Sequence, residues 1–130
     1  MSDFVFVYGS LKQGFGNHSC LNGATYCGEA MLNRAKLLNL GPYPGMIPGE
    51  NGERVFGEVY FIDAKILKRL DMLEGHPNFY CREQREIFFN SDSVKMAWCY
   101  FLSPNSIAHY KKVCKEIPDG RWTQECRRAR

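Results

Sequence analysis

The chain has 130 residues, 45% of them hydrophobic and 24% charged, which is the composition of one globular domain rather than of a disordered or membrane-embedded segment. Its net charge of +3 has its excess in Arg127, Arg128 and Arg130, whereas nucleic-acid binders carry a basic stripe over a folded face. No apolar run is long enough to span a bilayer, so neither nucleic acid nor membrane is expected as a partner. Residues 1–130 are read as a single domain, with about 123–130 a solvated basic tail.

In chain order, Phe4-Val5-Phe6-Val7-Tyr8 is a continuous apolar run between Asp3 and Gly9, the pattern of a strand buried on both faces. It has none of the basic, apolar and small-residue regions of a secretory signal. The six cysteines (Cys20, Cys27, Cys81, Cys99, Cys114 and Cys126) are therefore expected as reduced thiols of a cytoplasmic protein. There is no CxxC and no Cys or His pair at zinc spacing, so no metal is expected. Gly9 to Asn17 is a glycine-punctuated turn, after which Asn17 or Ser19 could cap a helical turn toward Leu21. Thr25 to Leu40 predicts one long or two short strands, with a bulge or close approach at Gly28. Gly41 to Gly49 contains three prolines and is read as a rigid loop.

Val55 to Ile62 predicts a strand, and Asp63 then caps an amphipathic helix carrying Ile66, Leu67, Leu70 and Leu73. Gly75 suits the left-handed residue after that helix, which puts Glu74 in its last turn, where the dipole disfavours a carboxylate. Tyr80 to Phe89 and Val94 to Leu102 read as strands joined by a turn at Asn90-Ser91-Asp92-Ser93, and Ser106 to Glu116 as a last helix. Strands with two or three short helices favour an α+β domain or a partly closed β-barrel over a doubly wound sheet.

Three features could carry chemistry: the Tyr8-Gly9-Ser10 loop, the Pro42-Tyr43-Pro44 loop, and Glu74. Each has an ordinary alternative, as a plain turn, a brace at a barrel mouth and a solvated helix end. Tyr43 and Tyr80 could close a pocket or pack in a core. Arg82 could pair with a substrate carboxylate or form an ion pair with Glu58 or Glu83. His18 could orient the first loop or lie on the surface, and Cys20, with no obvious histidine base, is read as a packed thiol rather than a nucleophile.

Taken together, the order of these pieces resembles the γ-glutamylcyclotransferase-like family and, within it, the γ-glutamylamine cyclotransferases. The resemblance rests on the Phe4 to Lys12 segment, Asn17-His18, Pro42-Tyr43-Pro44, Gly57-Glu58-Val59-Tyr60, Leu70-Asp71-Met72-Leu73-Glu74-Gly75 and Tyr80-Cys81-Arg82. Ile117 to Trp122 is similar to the ending of microbial members. The resemblance implies a small mixed barrel with flanking short helices, a small γ-glutamyl substrate held by Tyr8, Gly9, Ser10 and Leu11, and Glu74 as the catalytic base. It also implies release of 5-oxoproline and a free amine without a cofactor. Tyr43, Tyr80 and Arg82 are the further substrate-binding candidates. The rival expectation is a binding module that holds a small anionic metabolite or nucleotide-derived signal without turning it over. The leaving amine and the oligomeric state are left open.

Overall fold

The computed structural model describes residues 2–89 and 93–128. Five strands close into a barrel in the order β1 (Ser2–Val7), β5 (Arg54–Asp63), β2 (Thr25–Asn33), β6 (Tyr80–Phe89) and β7 (Ser93–Leu102). A three-stranded sheet lies beside it in the order β4 (Pro44–Pro48), β3 (Ala35–Asn39), β8 (Glu116–Ile117). The barrel is mixed because β1 runs parallel to β7 and antiparallel to β5. The helices are α1 (Ala64–Glu74), α2 (Pro104–Tyr110) and α3 (Gln124–Arg128), so the expected α+β barrel with short flanking helices is the observed architecture.

β1 is central, and its apolar run serves two cores. Phe6 and Tyr8 join Val59, Ile87, Ala97 and Cys99 in one cluster. Val5 and Val7 join Tyr60, Ile62, Ile66 and Leu70 in the other, under α1. A period-two strand with both faces buried has no polar face, which is why the sequence run is continuous. The β2–β5 register slips between Tyr26 and Gly28, which is the bulge expected at that glycine.

Several boundaries differ from those expected. Pro44–Pro48, read as loop, is a strand. It sits at a sheet edge with a proline at each end, where a missing N–H costs least. The last helix starts earlier, at Pro104, because Ser103 Oγ accepts a hydrogen bond from Ser106 N and Pro104 opens the first turn. It ends at Tyr110 rather than Glu116, since Glu116 and Ile117 pair with Leu38 and Leu37 of β3. Gln124–Arg128, placed in a solvated tail, forms α3, tied in where Asn39 Nδ2 donates to Cys126 O at 2.8 Å. The turn expected at 90–93 falls largely outside the described residues, as do Ala129 and Arg130.

None of the six cysteines is disulfide-bonded. No described helix is long and apolar enough to cross a membrane.

Candidate active site

β1 delivers the chain into a tight loop. Lys12 N donates to Gly9 O at 3.0 Å, Asn17 N to Ser10 O at 3.0 Å, and the His18 ring Nδ1–H to Leu11 O at 2.9 Å. His18 therefore orients this loop, one of the two roles open to it. Asn17 does not cap the short 3-10 turn His18–Leu21 with its side chain; its Nδ2 donates instead to Ser10 Oγ at 2.9 Å. Lys12 Nζ reaches Trp122 O at 2.7 Å and Gln13 N reaches Glu58 Oε1 at 3.0 Å, so both flanks of the loop are anchored.

With the three carbonyls engaged, the N–H groups of Gly9, Ser10 and Leu11 have no acceptor among the described residues. Consecutive free amides of this kind suit an anion or a developing oxyanion. Gly9 is required by packing: a Cβ there would lie 2.8 Å from Cδ and Cγ of Pro44. The side chain is excluded by the neighbouring edge strand, which draws the Pro42-Tyr43-Pro44 segment against the loop.

Glu74 arrives from the other direction. Asp63 Oδ1 accepts from Ile66 N at 2.9 Å to start α1, Ile66 and Leu70 bury its inner face, and Gly75 ends it in the left-handed region at φ 64°. The N–H of Gly75 turns back onto the last helical carbonyls, Asp71 O and Met72 O. The partly buried Glu74 carboxylate has no hydrogen-bond or ion-pair partner among the described residues, and burial pushes its pKa up to about 7.

Asp71, one turn earlier on the same helix, is perturbed in the opposite sense. Burial would raise its pKa, but hydrogen bonds from Arg82 and Tyr100 outweigh burial and hold it below the usual carboxylate range. Arg82 Nε and Nη2 meet the two Asp71 oxygens at 2.8 and 3.1 Å, and the guanidinium lies over the Trp98 ring at 4.1 Å. Tyr100 Oη donates to Asp71 Oδ1 at 2.7 Å.

The loop and the helix end meet at a cavity of about 180 Å³, the size for an amino-acid-like group rather than a drug-sized one. Of the candidates, Tyr8, Gly9, Ser10, Leu11, Tyr43, Glu74 and Tyr80 all line it. Arg82 does not; its charge is engaged by Asp71, rather than by Glu58 or Glu83 as its expected structural partners. Glu83 pairs with Arg85 and Glu58 accepts from Tyr60 Oη.

Asn17, Leu73, Phe79 and Tyr100 also line it, though none of them was read from the sequence as a site residue. Asp71 carried a usable signal, its i,i+3 spacing from Glu74. Tyr100 carried none, because its position depends on the β6–β7 register, which sets it opposite Arg82. Tyr8 Oη donates to Tyr100 O at 2.7 Å and Tyr80 Oη to Pro44 O at 2.5 Å, so these phenols act as fixed walls. Burial raises the pKa of both.

A second hollow of about 410 Å³, beside Lys12, Glu58 and Trp122, is larger. Of its two carboxylates, Glu29 and Glu58, the latter is already engaged by Tyr60 and Gln13. No group of three or more His, Cys, Asp or Glu that could hold a metal is gathered among the described residues.

The family model described as "Gamma-glutamyl cyclotransferase, AIG2-like" matches residues 5–124. A γ-glutamylcyclotransferase family protein of Citrobacter rodentium is 40% identical over 96 residues, 74% of this chain and 78% of that protein. The γ-glutamylaminecyclotransferase of Bos taurus is 39% identical over 94 residues, 64% of this chain and 55% of the bovine one. The crystal structure of an AIG2-like protein of Mus musculus superposes with a TM-score of 0.69 at 24% identity, covering 82% of each chain.

Proposed function

The chain belongs to the AIG2-like γ-glutamylcyclotransferase family, and from that premise we propose that Glu74 is the general base that closes a γ-glutamyl amide into 5-oxoproline in the cavity described above. The observation that carries this reading is the unpartnered Glu74 carboxylate, raised to about 7 by burial and sharing one small cavity with three free loop amides.

The chemistry follows from matched acidities. The α-ammonium of a γ-glutamyl group lies beside its own free carboxylate and titrates well on the alkaline side, so at neutral pH the nucleophile is mostly protonated. A carboxyl near 7 takes that proton at a much smaller cost than a surface glutamate would. The freed amine attacks the γ-carbonyl carbon of the same molecule. A C–N bond forms and the carbonyl π pair moves onto oxygen, where the Gly9, Ser10 and Leu11 amides suit the charge.

Collapse of that intermediate breaks the bond to the amide nitrogen, which takes the proton held on Glu74, while the ring nitrogen gives up its second proton to the same departing nitrogen, leaving the lactam N–H and a protonated amine. Atoms balance without water, and the carboxylate is regenerated. Because nucleophile and electrophile are tethered, the site has mainly to hold a folded substrate, and such orientation is worth roughly 7–11 kcal/mol. Six unpaired thiols favour a reducing cytosol as the setting.

The test is a library of γ-glutamyl amides incubated with the purified protein and read by mass spectrometry. The expected result is 5-oxoproline and free amine appearing in equal amounts from at least one member. A member bound tightly and recovered unchanged, with none converted, would overturn the reading in favour of a binding module.

A further inference from the structure

The cavity has two chemically different walls. On the loop side lie the free amides of Gly9, Ser10 and Leu11, the Ser10 hydroxyl and the Asn17 side chain. Much of the remaining lining is apolar: Tyr43, Pro44, Leu73, Phe79 and Tyr80. Phe79 packs edge-on to Tyr80, with ring centroids 4.8 Å apart, and to Tyr43 at 6.3 Å, so three rings form one continuous surface. Tyr80 has turned its hydroxyl onto Pro44 O, which removes the polar atom from that surface. Tyr43 and Leu73, at 38% and 39% exposure, carry the apolar lining out to solvent.

Among the described residues, Glu74 is the only charged side chain in the lining. A peptide leaving group brings a carboxylate, and no described lysine or arginine lines the cavity to meet it; Arg82, the nearest candidate by sequence, is held by Asp71. A lysine or polyamine leaving group brings a cation, and no described carboxylate besides Glu74 is there to pair with it. A charge on the leaving group gains no ion pair from this lining, whereas an apolar substituent gains by covering these rings.

We propose that the leaving group is a neutral primary amine bearing an aromatic or apolar substituent, selected by Tyr43, Leu73 and Phe79. This rests on the cyclotransferase reading above. The substrates are then γ-glutamyl amides of aralkyl or alkyl amines, and the reaction supplying them is an ATP-type ligation or transpeptidation of glutamate onto such an amine.

The experiment compares kcat/KM for 5-oxoproline release from γ-glutamylbenzylamide, γ-glutamylbutylamide, the γ-glutamyl amide of the lysine ε-amine, and glutathione. The two apolar amides are expected to exceed both charged substrates by at least about tenfold, the discrimination that a small apolar pocket provides. Tyr43→Ala and Phe79→Leu are each expected to narrow that margin several-fold through KM for the benzylamide; the first alters a half-exposed ring and the second keeps an apolar filler against Tyr110.

A lysine or glutathione substrate equal to or better than the apolar amides overturns this inference while sustaining the cyclotransferase. A preference for the lysine amide that Phe79→Leu and Tyr43→Ala abolish would assign the rings to cation binding instead. Absence of 5-oxoproline from every member overturns both readings together.

Discussion

Glu74 and Asp71 are two carboxylates one helical turn apart whose surroundings drive them in opposite directions. Asp71 is clasped by Arg82 and Tyr100 and stays ionised, while Glu74 has no partner among the described residues and rises to about 7. Opposed shifts in neighbouring acids separate a structural role from a proton-transfer role. The raised value also fixes how stability responds to pH. A glutamate whose folded pKa lies above its unfolded value of 4.5 favours the fold below 4.5, and that advantage is lost as pH rises to about 7. Above 7 the ionised carboxylate costs the native state free energy, on the order of 1–3 kcal/mol once partial exposure is allowed for. Glu74→Gln is therefore expected to be more stable than wild type at pH 8 by that amount, and equal to it near pH 4. Urea unfolding at the two pH values checks this, and an equal difference at both would place Glu74 in ordinary solvent.

At the scale of elements, the site is a junction of three parts: the loop after β1, the C-terminal end of α1, and the β4 edge with Tyr43. The brace behind it is the Asp71–Arg82 pair, which joins α1 to β6 and, through Tyr100 and Trp98, to β7. Both side chains are about one-fifth exposed, at 19% and 21%. Arg82→Ala is expected to cost about 1–2 kcal/mol, less than a fully buried pair, because Asp71 keeps Tyr100 and some water. KM for a γ-glutamyl amide should move by less than about threefold; a large rise in KM with unchanged stability would return Arg82 to substrate binding.

The parts of this junction that came from local pattern were legible in the sequence. Asp63 and Gly75 bracket α1 through capping chemistry that acts over three residues, and the β1 run announces its double burial. The Arg82 partner, Tyr100 and the β4 edge strand were not, because each depends on which segments meet across the sheets. Pro44–Pro48 is a strand only because β3 lies beside it.

For the molecule as a whole, the mixed barrel is a rigid frame on which a loop and a helix end are held facing one small cavity, and resemblance rather than periodicity made Glu74 stand out before the geometry was known. What the frame supplies is a carboxylate and a row of amides, both without partners among the described residues, facing one small cavity. The most direct measurement follows one γ-glutamyl amide with wild type and Glu74→Gln side by side, reading binding by calorimetry and 5-oxoproline by mass spectrometry. The account predicts binding within about threefold and release slowed by at least about 10²-fold in the variant, the lower range for loss of a general base. Release at the wild-type rate by Glu74→Gln would contradict it.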